Sequence, residues 1–223
     1  MNRYESVLSN VTSQTVPMNN VLKNTYMLLS ATLIWSAVLA SVSMAISPPP
    51  FISLVTSIGA LLLLWFVLPR TANSSAGLGM VFLITGLLGF GLGPTLNYYA
   101  SIPNGGQVIT TAFGGTGLIF VGLSAYALTS KRDFSFMGGF LFIGMMVVLV
   151  ASLVGIFVQM PALQLAISAA IVLLMSGLIL FETSQIINGG ETNYLMATVS
   201  LYLSVLNLFT ALLHLLGAFG NDD

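Results

Sequence analysis

Glu182 is the one carboxylate that stands inside an apolar run of this chain, in "GLILFETSQIINGGETNY" (Gly177 to Tyr194). An acid in a hydrocarbon setting can hold a proton, accept a hydrogen bond or ligate a cation, and each such group is a candidate functional residue. The next run, "YLMATVSLYLSVLNLFTALLHLLGAF" (Tyr194 to Phe219), carries Ser200, Ser204, Asn207 and His214 at spacings of four, three and seven. Those intervals place the four on one helical face. A polar stripe of this kind faces other helices or a wet cavity rather than lipid. As interhelical hydrogen bonds its members contribute on average only about 0.6 kcal/mol each. As the lining of a polar pathway they pass ions or protons. His214 is the only histidine. One histidine does not make a zinc site, which takes three or four ligands. It titrates near neutral pH or, more simply, hydrogen-bonds.

The elements that position these groups are membrane helices. The chain is 57% hydrophobic and 5% charged, with a mean hydropathy of +1.00; soluble domains are about 25% charged. Seven apolar runs occur, at 25–46, 51–68, 77–99, 107–129, 135–158, 162–187 and 194–219. Each is long enough to cross about 30 Å of hydrocarbon at 1.5 Å per residue. The predicted fold is therefore an all-α polytopic membrane protein with seven transmembrane helices. "SPPP" (Ser47 to Pro50), "PNGG" (Pro103 to Gly106) and "QMPAL" (Gln159 to Leu163) are tight turns. Pro161 suits the first turn of helix six, and Gly189 and Gly190 suit its stop.

Arg3 and Lys23 precede helix one, Arg70 follows helix two, and Lys131 and Arg132 follow helix four. All five basic residues thus fall on one side. The positive-inside rule makes that side cytoplasmic. The expected organisation is a polar cytoplasmic segment at 1–23, a transmembrane domain at 24–219 and a short periplasmic tail at 220–223. No cleavable signal peptide is expected, since the first ~20 residues lack an apolar core. Glu182 then lies near the cytoplasmic end of helix six, where burial costs less than the about 2.5–3.5 kcal/mol of the bilayer centre. Helix seven is antiparallel to it, so Ser204 is within its reach. Arg70 enters from the same side as a candidate charge partner, and the simpler alternative is that Glu182 reaches the headgroups. The glycines of helix three (Gly86, Gly89, Gly91, Gly93), of helix four (Gly114, Gly115, Gly117) and of helix five (Gly138, Gly139, Gly144) are read as packing contacts. Pro94 is expected to kink helix three.

Several chemistries are excluded or weak. There is no cysteine, so disulfides and thiolate metal sites are absent. No phosphate loop, H-E-x-x-H or dinucleotide fingerprint occurs, so no cofactor and no metal are expected and the chain is read as non-enzymatic. A net charge of −1 argues against nucleic acid. Helix seven lacks the lysine of a retinal protein. "GLSAY" (Gly122 to Tyr126) resembles the serine motif of rhomboid intramembrane proteases, with Ser124 as nucleophile and His214 as base, but its final glycine is alanine.

"FETSQIINGGETNYLMATVSLYLSVLNLF" (Phe181 to Phe209) resembles the signature region of the Bax inhibitor, or TMBIM, family. "VLKNTYMLLSATL" (Val21 to Leu33), "LGPTLNYY" (Leu92 to Tyr99) and "GGETNY" (Gly189 to Tyr194) resemble its bacterial inner-membrane branch. The resemblance covers nearly the whole chain. It implies six helices around a central seventh. It implies contact with the membrane protease FtsH, whose degradation of membrane proteins that branch restrains. It also implies an alternative, a pH-sensitive leak of calcium, other cations or protons. The family leak uses two aspartates, and the resemblance carries these to Glu182 and to Ser204 in "LYLS", with Asn207 in place. A carboxylate facing a hydroxyl is not a coupled acid pair, and it offers calcium fewer charged oxygens. For that reason modulation of the protease ranks above the leak.

Overall fold

The computed structural model describes residues 18–130, 132–158 and 160–219, and among these every regular element is helical. Seven helices are long and apolar enough to cross a membrane. They are α1 (Met18–Ile46), α2 (Phe51–Thr71), α3 (Ala76–Ser101), α4 (Gly105–Ser130), α5 (Gly138–Phe157), α6 (Pro161–Ile187) and α7 (Tyr194–Phe219). The sequence expectations for Arg3, Lys131 and the 220–223 tail concern residues outside that description.

One helix boundary lies well outside its apolar run, and the others fall within a few residues of theirs. α1 begins at Met18 rather than near residue 24, because a helix continues past the hydrocarbon once Asn20, Lys23 and Asn24 point to water. α2 runs on to Thr71 through a π-helical turn at Leu63–Val67. Pro69 explains that turn: it has no N–H for the carbonyl four residues back, and its ring crowds that carbonyl. α3 passes through Pro94 without interruption.

α7 is the central helix. Each of the four buried apolar clusters contains α7 residues: Leu195 and Val199, then Leu201 and Tyr202, then Leu213, then Val205 and Leu208. In α3 and α7, 44% of the most apolar stretch is buried, against 11% in α2 and α5. The other six helices therefore surround α7 at two depths. α1, α3, α4 and α6 touch it, whereas α2 packs on α3 and α5 on α6.

Glycine sets the tightest approach. A Cβ at Gly89 would stand 2.6 Å from both Cα and the carbonyl oxygen of Ser36 on α1, and one at Gly86 would stand 2.8 Å from the Trp35 indole nitrogen. Gly93 meets Ser43 of α1, and Gly91 meets Thr56 of α2. α3 is thus clamped between α1 and α2 by small residues. In α4 and α5 the packing reading needs correction. Gly114, Gly117 and Gly139 have nothing within 4 Å of an added Cβ. These glycines sit on outward faces, which sequence cannot separate from inward ones when both are apolar. Gly144, by contrast, would meet Leu174 at 2.5 Å.

Candidate functional site

Glu182 sits on the last full turn but one of α6, and Ser204 lies on the facing side of α7. The Ser204 hydroxyl donates to Glu182 Oε2 at 3.0 Å. Ser204 is only 2% exposed, whereas Glu182 is partly buried. Glu182 also lines a cavity of about 250 Å³ with Phe181, Gln185, Ile186, Glu191 and Ser200. The cavity brings a second carboxylate, Glu191 of the α6–α7 turn, to the same space. Glu191 Oε1 accepts the Asn193 backbone N–H at 2.7 Å.

The turn that carries Glu191 is fixed by backbone geometry. α6 ends at Ile187, and Gly189 takes φ 77°, a conformation that favours glycine. The Gly190 N–H then closes onto the Gln185 carbonyl at 2.8 Å, the six-to-one bond of a Schellman stop. Asn193 caps α7: its Oδ1 accepts from the N–H groups of Leu195 at 2.9 Å and Met196 at 3.3 Å. Its amide donates to the Ala72 carbonyl at 3.2 Å and to Asn73 Oδ1 at 3.0 Å, which ties this turn to the α2–α3 turn. Ser184, two residues on from Glu182, accepts the Phe134 N–H at 3.0 Å and donates to the Arg132 carbonyl at 3.3 Å. The α4–α5 turn is held to α6 in this way. At that turn Asp133 accepts from the Ser135 hydroxyl at 2.5 Å and from its backbone N–H at 2.8 Å, and these two bonds hold its carboxyl below the usual range. Gln185 donates to the same Ser135 hydroxyl at 3.0 Å.

The other candidates are dispersed. Arg70 does not reach Glu182. It is exposed at the end of α2, and its guanidinium donates to the Phe66 carbonyl at 2.9 Å. The π turn and the extension of α2 to Thr71 keep Arg70 on its own helix. The α7 stripe is also split. Ser204 is buried, whereas Ser200, Asn207 and His214 are exposed. Ser200 lines the Glu182 cavity. Asn207 donates to the Leu203 carbonyl of its own helix at 2.9 Å. His214 lines a separate cavity at the far end of α7. Ser124 and His214 form no dyad. Ser124 is buried on the last third of α4 with its hydroxyl unpartnered, and His214 lies near the C-terminal end of α7, at the opposite end of the bundle.

A second polar cluster escaped the sequence reading. On the opposite flank of α7, the Tyr202 hydroxyl lies 2.6 Å from Ser36 Oγ and 3.1 Å from the Thr85 carbonyl, which Ser36 Oγ also approaches at 2.7 Å. All three residues are buried. The available signal was on α1, where Thr25, Thr32, Ser36 and Ser43 recur at seven, four and seven. All four are buried.

Seven membrane-length helices packed about α7, with a carboxylate bonded across the α6–α7 pair, define an integral membrane protein. The family model described as inhibitor of apoptosis-promoting Bax1 matches residues 18–221, and the chain belongs to that family. Among its relatives, a protein of Escherichia coli K12 named modulator of FtsH protease YccA is 50% identical over 207 residues, 92% of each chain. An uncharacterized membrane protein of Vibrio cholerae is 53% identical over 210 residues, 94% of each chain. An uncharacterized protein of Pseudomonas aeruginosa is 46% identical over the full length of both chains. A further Escherichia coli relative, 50% identical over 92% of each chain, is named inner membrane protein YccA.

Proposed function

We propose that this protein is an inner-membrane modulator of an FtsH-type protease and that it acts by direct contact rather than by catalysis. The observation that carries this reading is the 50% identity to the FtsH modulator, spread over 92% of both chains. The interior supports it. Where the family resemblance puts a second carboxylate, α7 has Ser204, so Glu182 meets a hydroxyl. The basic residues Lys23, Arg70 and Arg132 favour an N-terminus in the cytoplasm and a C-terminus in the periplasm. That orientation puts residues 1–17, which are polar in sequence, on the side of the protease's ATPase. The test is co-purification of the two proteins from detergent, with and without residues 1–20. Capture with the full chain is expected, and no association with either form would sink the contact reading.

A second reading has one observation in its favour. Glu182 combines a bond to Ser204 with access to an open cavity, an arrangement that suits a proton- or cation-conducting step along α6 and α7. Liposome flux compared between wild type and Glu182→Gln discriminates. Background-level flux in both removes the leak.

A further inference from the structure

The end of the bundle remote from Glu182 carries its own cavity, about 220 Å³, and no part of the proposed contact mechanism uses it. It is formed where α3 ends, α6 begins and α7 ends. Its walls are Tyr98, Tyr99, Gln164, Ser168 and His214, with Gly217 beside them. The His214 and Tyr99 rings meet edge to face, their centroids 5.8 Å apart at 67°. Tyr99 can lie there because Gly217 has no side chain: an added Cβ would run into the Tyr99 ring. Tyr99 itself belongs to the apolar cluster of Ala40, Leu96, Val108, Ala112 and Leu213.

The charge distribution singles out His214. Among the described residues, every Lys, Arg, Asp and Glu belongs to the opposite end of the bundle: Lys23, Arg70, Arg132, Asp133, Glu182 and Glu191. The groups that face His214 from α3 are the phenols of Tyr98 and Tyr99. From α6 they are the neutral Gln164 and Ser168, and the nearby α1 and α4 residues, Ala40, Val108 and Ala112, are apolar. Phenols titrate near pH 10. His214 is therefore the one described side chain at this end that can gain a positive charge by taking up a proton. Protonation makes the imidazole a cation beside an electron-rich aromatic ring, an arrangement that attracts. It also places a charge in a cavity with no counter-ion among the described residues, which draws in water and loosens the start of α6.

We propose that His214, Tyr99 and this cavity form a proton-responsive contact that couples the ends of α3, α6 and α7 on the face away from the basic residues. The ligand is the proton itself. This contact is separate from Glu182 and from the protease reading.

The single histidine makes the test direct. In nanodiscs, the His214 ring resonances are followed by NMR from pH 4.5 to 8, and amide exchange, corrected for its intrinsic pH dependence, is followed for residues 161–168 and 213–219. The imidazole is expected to titrate within the range scanned. Exchange in both segments should change over the same interval, and His214→Gln should flatten that change. Removing the aromatic face with Tyr99→Leu should lower the midpoint by about half a unit. A histidine that does not titrate in this range overturns the proposal. So does a pH response that persists in His214→Gln, including one that is lost only when Asp222 and Asp223 are changed to Asn.

Discussion

The two flanks of α7 handle polar groups in different ways. Toward α1 and α3, Tyr202, Ser36 and the Thr85 carbonyl close on one another, all buried and all neutral. Gly89 lets the α1 backbone come close enough for that closure. Toward α6, the bond between Ser204 and Glu182 borders an open cavity, and the far end of the same helix pair opens on a second one. The first flank is a fastening. The second keeps an ionisable group next to space that water can enter. A membrane bundle needs the first for stability, because lipid gives helices no hydrophobic reason to associate. The second has no such structural necessity, which is why the functional candidates are sought there.

Substitutions on the two flanks separate these roles. The largest effect is expected at Gly89→Val. Its side chain meets α1 backbone, which cannot step aside, so a loss of about 1–3 kcal/mol is expected in detergent unfolding. Tyr202→Phe removes the hydroxyl that bridges Ser36 Oγ and the Thr85 carbonyl, although Ser36 still donates to that carbonyl, and should cost about 1 kcal/mol. A double-mutant cycle with Ser36→Ala should show that the pair couples. On the other flank, Ser204→Ala should cost only about 0.6 kcal/mol, since the cavity offers Glu182 other partners. A loss as large as that of Tyr202→Phe would erase the distinction between the flanks. An effect of opposite sign is expected at Gly114→Ala. An added Cβ there meets nothing, so the change should stabilise α4 by about 0.5–1 kcal/mol. Destabilisation would mean that this face of α4 is covered.

Much of the scaffold was legible in the residues. Seven long apolar runs leave little alternative to seven helices, and Gly189, Gly190 and Pro161 stand where helices must stop and start. The reach of Ser204 to Glu182 followed from antiparallel neighbours and helical spacing. Other features were hidden for physical reasons. Hydropathy does not separate a lipid-facing glycine from a buried one, so Gly89 and Gly114 look alike in sequence although only one touches a neighbour. Charge sign alone suggested Arg70 for Glu182, but α2 is a peripheral helix packed on α3, and its arginine bonds its own backbone. Glu191 falls in a turn, where periodicity gives no direction, and only the Schellman geometry aims it at the Glu182 cavity. Tyr202 went unnoticed because a tyrosine in an apolar run reads as core until its hydroxyl is placed.

Modulation by contact, as proposed, leaves the α6–α7 acid site dispensable. The most direct measurement is the rate at which an FtsH-type protease, co-reconstituted in liposomes, degrades a membrane substrate with and without this protein. Contact modulation predicts slower degradation in the presence of the wild type and of Glu182→Gln alike. An unchanged rate with the protein present, or slowing that Glu182→Gln abolishes, would contradict it.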